Sequence, residues 1–254
     1  MFDESAAAYE QHWAPALNRH ARDLVAGVPA APSGRTAVDI AAGAGTLAPA
    51  LRDLVGPGGL VVALDHSRGL LERAPSDLPR VQCDAAHLPL RSAIADVAVL
   101  AFVLFLLPDA RAAVCEAARV LRSGGWLAAA TWGSVEDTGA ELVLREEIEA
   151  AGAPAFPTLP RSDELTDSPE AMAELLRDDF DEVRTTVRPL DAVFDPSSAL
   201  ALHTGSGNLG WRFRQLDPAT QETVRQRTAA RLADLPPKDF VDPSEVLLTT
   251  ARRR

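Results

Sequence analysis

The chain has 254 residues, 47% of them hydrophobic and 24% charged, enough to bury a core without disulfides or a structural metal. Its formal charge of −11 argues against sequence-independent nucleic-acid binding, which needs clustered Lys and Arg to neutralise phosphates. The longest apolar run, 97–108, is too short to span a bilayer, and the N-terminus carries Asp3 and Glu4 rather than a basic leader, so a cytoplasmic, non-membrane protein is expected.

Apolar residues recur at helical spacing from Ala6 to Ala26, with an interruption near Pro15, and Pro29 to Gly34 marks a boundary. Short apolar runs then alternate with amphipathic segments. Strands are predicted over Thr36 to Ala41, Leu60 to Asp65, Arg80 to Cys83, Asp96 to Phe102 and Trp126 to Trp132. Helices are predicted between them over Thr46 to Val55, Ser67 to Ala74 and Asp109 to Leu121. Continuous apolar strands alternating with helices indicate a parallel sheet buried on both faces. Further on, helices are expected over Glu141 to Ala151, Ser168 to Arg177, Ser197 to His203 and Ala219 to Leu235, and strands over Val183 to Phe194 and Glu245 to Ala251. Cys83 and Cys115 sit among apolar residues and read as buried free thiols; no spacing suggests a metal site. Arg252 to Arg254 reads as a solvated tail.

The sharpest local feature is Val38-Asp39-Ile40-Ala41-Ala42-Gly43-Ala44-Gly45-Thr46, leaving the first strand for the first helix. Gly43 and Gly45 let the backbone turn tightly and approach a ligand, and the helix behind them starts with free N–H groups. Asp39 reads as a residue that orients the loop by bonding its backbone N–H groups. Asp65 ends the second strand about 20 residues past the loop, where a carboxylate can accept both ribose hydroxyls of an adenosine-containing cofactor. His66 can lie against an adenine face, and Asp84, after the third strand, can accept from an adenine amino group. All three strand ends fall on the carboxyl edge of the sheet, where open α/β sheets bind ligands. Taken singly, Asp65 and Asp84 could also be helix N-caps.

This run of motifs resembles the class I S-adenosylmethionine (SAM) dependent methyltransferases, particularly small-molecule enzymes similar to those of ubiquinone and menaquinone biosynthesis. The resemblance spans roughly Tyr9 to Trp132, includes Asp84-Ala85-Ala86-His87-Leu88-Pro89-Leu90, and continues to Arg119-Val120-Leu121-Arg122-Ser123-Gly124-Gly125. Two positions depart from the pattern: the first loop glycine is Ala41, and the proline of the Pro-Gly-Gly turn is Ser123. The resemblance implies an α/β fold, a Rossmann-like seven-stranded, mostly parallel sheet with helices on both faces, N-terminal helices and a helical lid. It implies an N-terminal helical segment over 1–30 and a SAM-binding domain over 33–254, with lid helices within about 137–178 and 196–237. It also implies that Ala41, Gly43 and Gly45 line the methionine part of SAM, that Asp65 binds the ribose and that His66 flanks the adenine. Asp84 with Ala85 would bind the adenine edge, and Phe102 would border the methionine end.

The reaction implied is methyl transfer to an O, N or C nucleophile of a small, apolar or aromatic molecule, releasing S-adenosylhomocysteine (SAH). Candidate substrate contacts are Tyr9, Trp13, Phe105, Trp132, His203 and Trp211, with His203 and His12 as candidate bases because imidazole titrates near neutrality. Tyr9 and Trp13 at i, i+4 also suit plain amphipathic packing, and the glycine-rich 202–211 suits either a flexible cap or a structural loop. A SAM-binding protein that catalyses cyclisation or decarboxylation would carry the same motif residues. A nicotinamide-dependent dehydrogenase is the remaining rival, since Gly43-Ala44-Gly45-Thr46-Leu47-Ala48 fits G-x-G-x-x-A, but Tyr9 and Lys238 are the only tyrosine and lysine and cannot form a Tyr-x-x-x-Lys pair. The expected partner is a small-molecule acceptor, with no nucleic acid and no membrane; a homodimer is left open.

Overall fold

The computed structural model describes residue 11 and residues 13–29 and 35–254. In chain order the elements are α1 (Ala14–Ala26), β1 (Thr36–Ile40), α2 (Ala48–Val55), β2 (Leu60–Asp65), α3 (Arg68–Arg73), β3 (Arg80–Gln82) and β4 (Ala95–Ala101). They continue with α4 (Ala110–Val120), β5 (Leu121–Trp132), α5 (Gly139–Ala150), α6 (Pro169–Leu176), β6 (Phe180–Pro189), α7 (Pro196–Gly205), α8 (Gly207–Arg214), α9 (Pro218–Leu232) and β7 (Glu245–Arg253). The chain divides into two compact units. One comprises 18–134, 160–188 and 245–254; the other comprises 1–17, 135–159 and 189–244.

The first unit is a seven-stranded sheet in the order β3-β2-β1-β4-β5-β7-β6. β1 pairs in parallel with β2 on one side and β4 on the other, and β7 runs antiparallel to β5. The α/β, mostly parallel sheet expected from the sequence is therefore present. Alternation along the central strands gives each face its own apolar layer. Val38, Ile40, Leu64, Ala98, Leu100, Leu127 and Ala129 pack with α4 and α6. Ala37, Ala63, Val97, Val99, Ala128 and Ala130 pack with α1, α2 and α3. The chain order reverses between β1 and β4, which makes the carboxyl ends of these strands the switch-point crevice of an open α/β sheet.

Local chemistry sets the boundaries. Ser67 caps α3 by accepting from the Leu70 N–H, Asp109 caps α4 through the Ala112 N–H, and Ser168 caps α6 through the Ala171 N–H. Residues 11 and 13, ahead of Pro15, have π-helical backbone and the α-helix begins at Ala14, so the helical geometry changes beside the proline, as the sequence suggests. β5 begins at Leu121, not Trp126, because Ser123-Gly124-Gly125 runs on as an irregularity where the β4–β5 register shifts between Ala95 and Val97. β6 covers Phe180–Pro189 and stops short of Phe194; Val193 instead makes a separate bridge with Val241. The expectation of two buried thiols is corrected. Cys83 is half-buried and Cys115 is exposed, because α4 turns Ala113, Val114, Ala117 and Ala118 inward and leaves position 115 outside.

The second unit is helical and holds two apolar clusters, Ala140, Val143, Ala199, Leu232 and Phe240, and Leu144, Ile148, Leu209, Phe213 and Val224. Residues 202–211, read from the sequence as a loop or cap, are the end of α7 and most of α8. The two helices are separated at Ser206, ahead of Gly207, whose φ is +65°, and Gly210 lets them touch: a Cβ there would lie 3.0 Å from the Gly205 carbonyl carbon. No helix of the described residues is long and apolar enough to cross a membrane.

Candidate functional site

Three strand ends meet in the sheet unit. After β1 the chain turns through Ala41 to Gly45 with φ of 61° at Ala41, 56° at Gly43 and 71° at Gly45. The two glycines serve different purposes. A Cβ on Gly43 would meet nothing within 4 Å, so this position faces open space, whereas on Gly45 it would lie 2.8 Å from Leu78 Cδ2. Gly43 thus leaves the loop open on that side, and Gly45 lets the loop pack against the segment after α3. Ala41 occupies the left-handed region that an L side chain disfavours by roughly 1–2 kcal/mol. We expect Ala41→Gly to stabilise the fold by about 1 kcal/mol, a rise of about 2–4 °C in Tm by thermal denaturation; an unchanged or lower Tm would mean the loop carries no strain there.

Asp65, at the end of β2, holds the loop. Its Oδ2 accepts from the Gly43 N–H at 2.7 Å and its Oδ1 from the Ser67 N–H at 2.7 Å. Each carboxylate oxygen keeps a further lone pair for a ligand hydroxyl. The orienting role expected of Asp39 therefore belongs to Asp65, since the loop N–H groups go elsewhere: Ala42 N to Leu64 O, Gly43 N to Asp65 and Gly45 N to Ala42 O. Asp39 itself is only 3% exposed, and its carboxyl is pushed up to about 7, by loss of solvation and then by the nearby Asp65 charge.

His66 is exposed, and its carbonyl accepts from Gln82 Nε2 at 2.9 Å. Asp84 is exposed after β3; its Oδ1 accepts from the Ala86 N–H at 2.9 Å, and Oδ2 lies 4.0 Å from His87 Nδ1. Ala85 packs against the core. Burial and the Asp65 and Asp84 charges push the Cys83 thiol up to about 11, which favours its protonated form near neutral pH.

At the carboxyl ends of β4 and β5, Phe102, Phe105 and Trp132 form an aromatic wall. The Phe102 and Trp132 centroids are 5.5 Å apart, Phe105 meets Trp132 edge-on at 6.4 Å, and Arg161 covers the far side of Phe105 at 5.4 Å. Phe102 is held there with φ of +56° by its N–H bond to Ala130 O at 2.8 Å.

The helical unit brings together a different set. Trp13 lies 5.7 Å from Phe194, and Phe194 meets the His203 ring edge-on at 6.4 Å. His203 Nδ1 is 3.3 Å from Glu141 Oε1, while its Nε2 is buried with no hydrogen-bond partner among the described residues. Trp211 does not join this cluster; its ring packs edge-on against Phe156 at 5.4 Å. Tyr9 and His12 lie outside the described residues. Sequence reasoning missed Glu141 and Phe194. Glu141 was visible as the fourth residue of Thr138-x-x-Glu141, a capping-box pattern that the structure realises; Phe194 carried no signal.

Residues 38–129 match a family model described as a methyltransferase domain. A demethylmenaquinone methyltransferase of Corynebacterium urealyticum is 34% identical over 120 residues, covering 46% of this chain and 50% of that one. The match thus spans about half the length of that relative. Among solved structures, the YcgJ protein of Bacillus subtilis aligns at 18% identity with a TM-score of 0.60, over 93% of this chain and 99% of that one. The [4+2]-cyclase SpnF aligns at 18% identity with a TM-score of 0.54, over 92% and 80%. At that identity both structures speak to the fold alone. Strand order, loop and sequence match agree: residues 38–129 are similar to a methyltransferase domain, and the chain is similar to demethylmenaquinone methyltransferases over about half of their length.

Proposed function

We propose that the crevice at the ends of β1, β2 and β3 binds SAM and that the chain transfers its methyl group to an O, N or C nucleophile of a small apolar or aromatic molecule. The observation that carries this reading is the junction of Gly43 and Asp65. An open-faced glycine is locked to a carboxylate that retains acceptor capacity for two ribose hydroxyls. The residues fit the cofactor along its length. Asp39 supplies a buried carboxyl for a cationic methionine end, and Gly43 leaves backbone clearance. His66 offers a ring face and Asp84 Oδ2 an acceptor for the adenine, beside Ala85. Phe102, with Phe105 and Trp132, closes the methionine end with an apolar surface that excludes water.

Bound SAM supplies a methyl group on a sulfonium. The chain has no new ion pair to stabilise, because the sulfur charge vanishes as the methyl leaves. Alignment and exclusion of water supply the acceleration. The fold likeness to a cyclase does not separate methyl transfer from ring formation; SAH produced in proportion to product does.

A thermal-shift series with SAM, SAH, NADH and NADPH tests the cofactor. Ligand at 100 times its Kd stabilises by about 2.7 kcal/mol, a rise on the order of 5–10 °C. The expected result is a rise with the two sulfur nucleosides only. A rise with the nicotinamides alone would make the loop a dinucleotide site.

A further inference from the structure

We propose that Glu116 and Arg119, in the last two turns of α4, are positioning residues that fix the Asp84–Ala85 turn against the adenine and so make the site prefer an adenine to a hypoxanthine nucleoside. This rests on the SAM reading of the crevice and adds to it a pair that lies behind the ligand-facing turn.

The turn needs outside support because its own strand gives little. β3 has three residues, all exposed, and lies at the edge of the sheet, paired with β2. Beyond it the chain reverses at once. The His87 N–H donates to the Asp84 carbonyl at 3.0 Å, and the Ala86 N–H donates to Asp84 Oδ1 at 2.9 Å. These bonds shape the turn but lie within it, so its place on the sheet is set at its two ends. On the near side the Cys83 N–H donates to the Asp65 carbonyl at 2.9 Å. On the far side the chain is fixed at Leu88, and α4 does the fixing.

Both backbone polar groups of Leu88 end on one ion pair. Its N–H donates to Glu116 Oε2 at 2.7 Å, and its carbonyl accepts from Arg119 Nη2 at 3.0 Å. Further along, the Leu90 carbonyl accepts from Arg119 Nη1 at 2.8 Å, and Ser92 Oγ lies 3.4 Å from the same nitrogen. Toward Glu116, Arg119 donates from Nε to Oε1 at 2.6 Å and from Nη2 to Oε2 at 2.8 Å. Every donor of the guanidinium is thereby committed, part to the carboxylate and part to the loop. The Arg119 hydrogen bond holds the Glu116 carboxyl below its ordinary value despite burial, and the Leu88 N–H adds to the effect. Arg119 also lies in the last turn of α4, where a cation suits the helix dipole. Because α4 is seated in the core through Ala113, Val114 and Ala117, the clamp passes the position of a buried helix to an exposed turn.

That position has a chemical consequence. Asp84 Oδ1 is engaged by the Ala86 N–H, which leaves Oδ2 with acceptor capacity for an amino group. A recognition group works only when it is held to within about 0.5 Å of its productive place. Hypoxanthine carries a carbonyl where adenine carries its amino group. A fixed carboxylate therefore repels hypoxanthine, whereas a turn free to swing aside tolerates it.

The test is titration calorimetry of the full chain with SAH and with S-inosylhomocysteine, the same molecule bearing hypoxanthine. The wild type should bind SAH about 10- to 100-fold more tightly. Arg119→Lys keeps the charge but loses the fork, and Glu116→Gln keeps an acceptor for the Leu88 N–H but loses the ion pair. Each should shrink the preference about tenfold, the worth of one charge-assisted hydrogen bond, chiefly by weakening SAH. In Asp84→Ala the preference should already be gone, and adding Arg119→Lys should change it no further. If Arg119→Lys does not fold, by circular dichroism, Glu116→Gln carries the same comparison. Folded variants that keep the wild-type preference, or that weaken both nucleosides by the same factor, overturn the proposal, because the pair then serves only the fold. A further drop on adding Arg119→Lys to Asp84→Ala also overturns it, since the pair then acts on something other than Asp84. A wild type that binds both nucleosides equally overturns it while leaving the SAM reading intact. A wild type that binds neither removes the SAM reading itself, a failure seen before any variant is made.

Discussion

Asp65→Ala should reduce SAM affinity by about 10- to 150-fold, equal to about 1.5–3 kcal/mol for a charge-assisted hydrogen bond. The upper part of that range is expected, because the carboxylate has two functions in one place. It offers its remaining lone pairs to the ribose, and it fixes the loop through the Gly43 and Ser67 N–H groups, each at 2.7 Å. Alanine releases both, so the loop must be ordered at the expense of binding energy. Asp65→Asn is an informative companion. Its amide keeps one acceptor oxygen but turns an N–H₂ toward one of two backbone donors, so it should lose nearly as much affinity as alanine although it is isosteric. Titration calorimetry with SAH measures both, and circular dichroism confirms the fold. Unchanged affinity in a folded Asp65→Ala chain would remove Asp65 from the site.

The sheet was legible because its strands are buried on both faces. Such strands read as continuous apolar runs, and Leu60–Asp65 and Ala95–Ala101 were found to within a residue. The glycine loop was legible because positive φ leaves a mark in composition, and Ala41 was legible as a departure from that mark. The division of labour within the loop was not. Nothing in the spacing of Gly43 and Gly45 says that one faces open space and the other Leu78, or that Asp65 rather than Asp39 anchors the loop. Those facts depend on which strands become neighbours, a long-range property that local pattern does not encode. The helical unit was the least legible part. Gly205, Gly207 and Gly210 suggested a loop, yet two helices use the missing side chains to approach one another. The pairing of His203 with Glu141 joins positions far apart in sequence, and the capping-box pattern accounts for Glu141 so well that it conceals any second role.

Asp39→Asn should raise the stability of the ligand-free protein above neutral pH and abolish the pH dependence of SAM binding. The carboxyl is 3% exposed and held up to about 7, first by burial and then by the Asp65 charge. Its ordinary value in an unfolded chain is about 3.9. Between those values the folded state holds a proton that the unfolded state has released, so the free energy of unfolding falls as pH rises. The stability associated with the protonated carboxyl is complete below about pH 4 and is lost as pH passes through about 7. Asparagine carries no charge at any of these values, and at pH 8 its Tm should exceed that of the wild type by on the order of 5 °C, with the gap closing toward pH 4. Binding reverses the preference. SAM brings positive charge, which favours the carboxylate, so below about pH 7 binding releases a proton from Asp39. The affinity of the wild type should then rise with pH, by up to about tenfold per unit, and level off above neutrality. Calorimetry in buffers of different ionisation enthalpy counts that proton directly. In Asp39→Asn the slope and the released proton should both vanish, while affinity at pH 8 falls by at least about tenfold. A variant that is no more stable at pH 8 and binds SAM with the same pH slope would show that Asp39 neither strains the free protein nor meets the cofactor's charge. The same carboxylate that destabilises the free sheet at its switch point would otherwise be what a cationic ligand relieves, so that stability lost in the empty protein reappears as affinity.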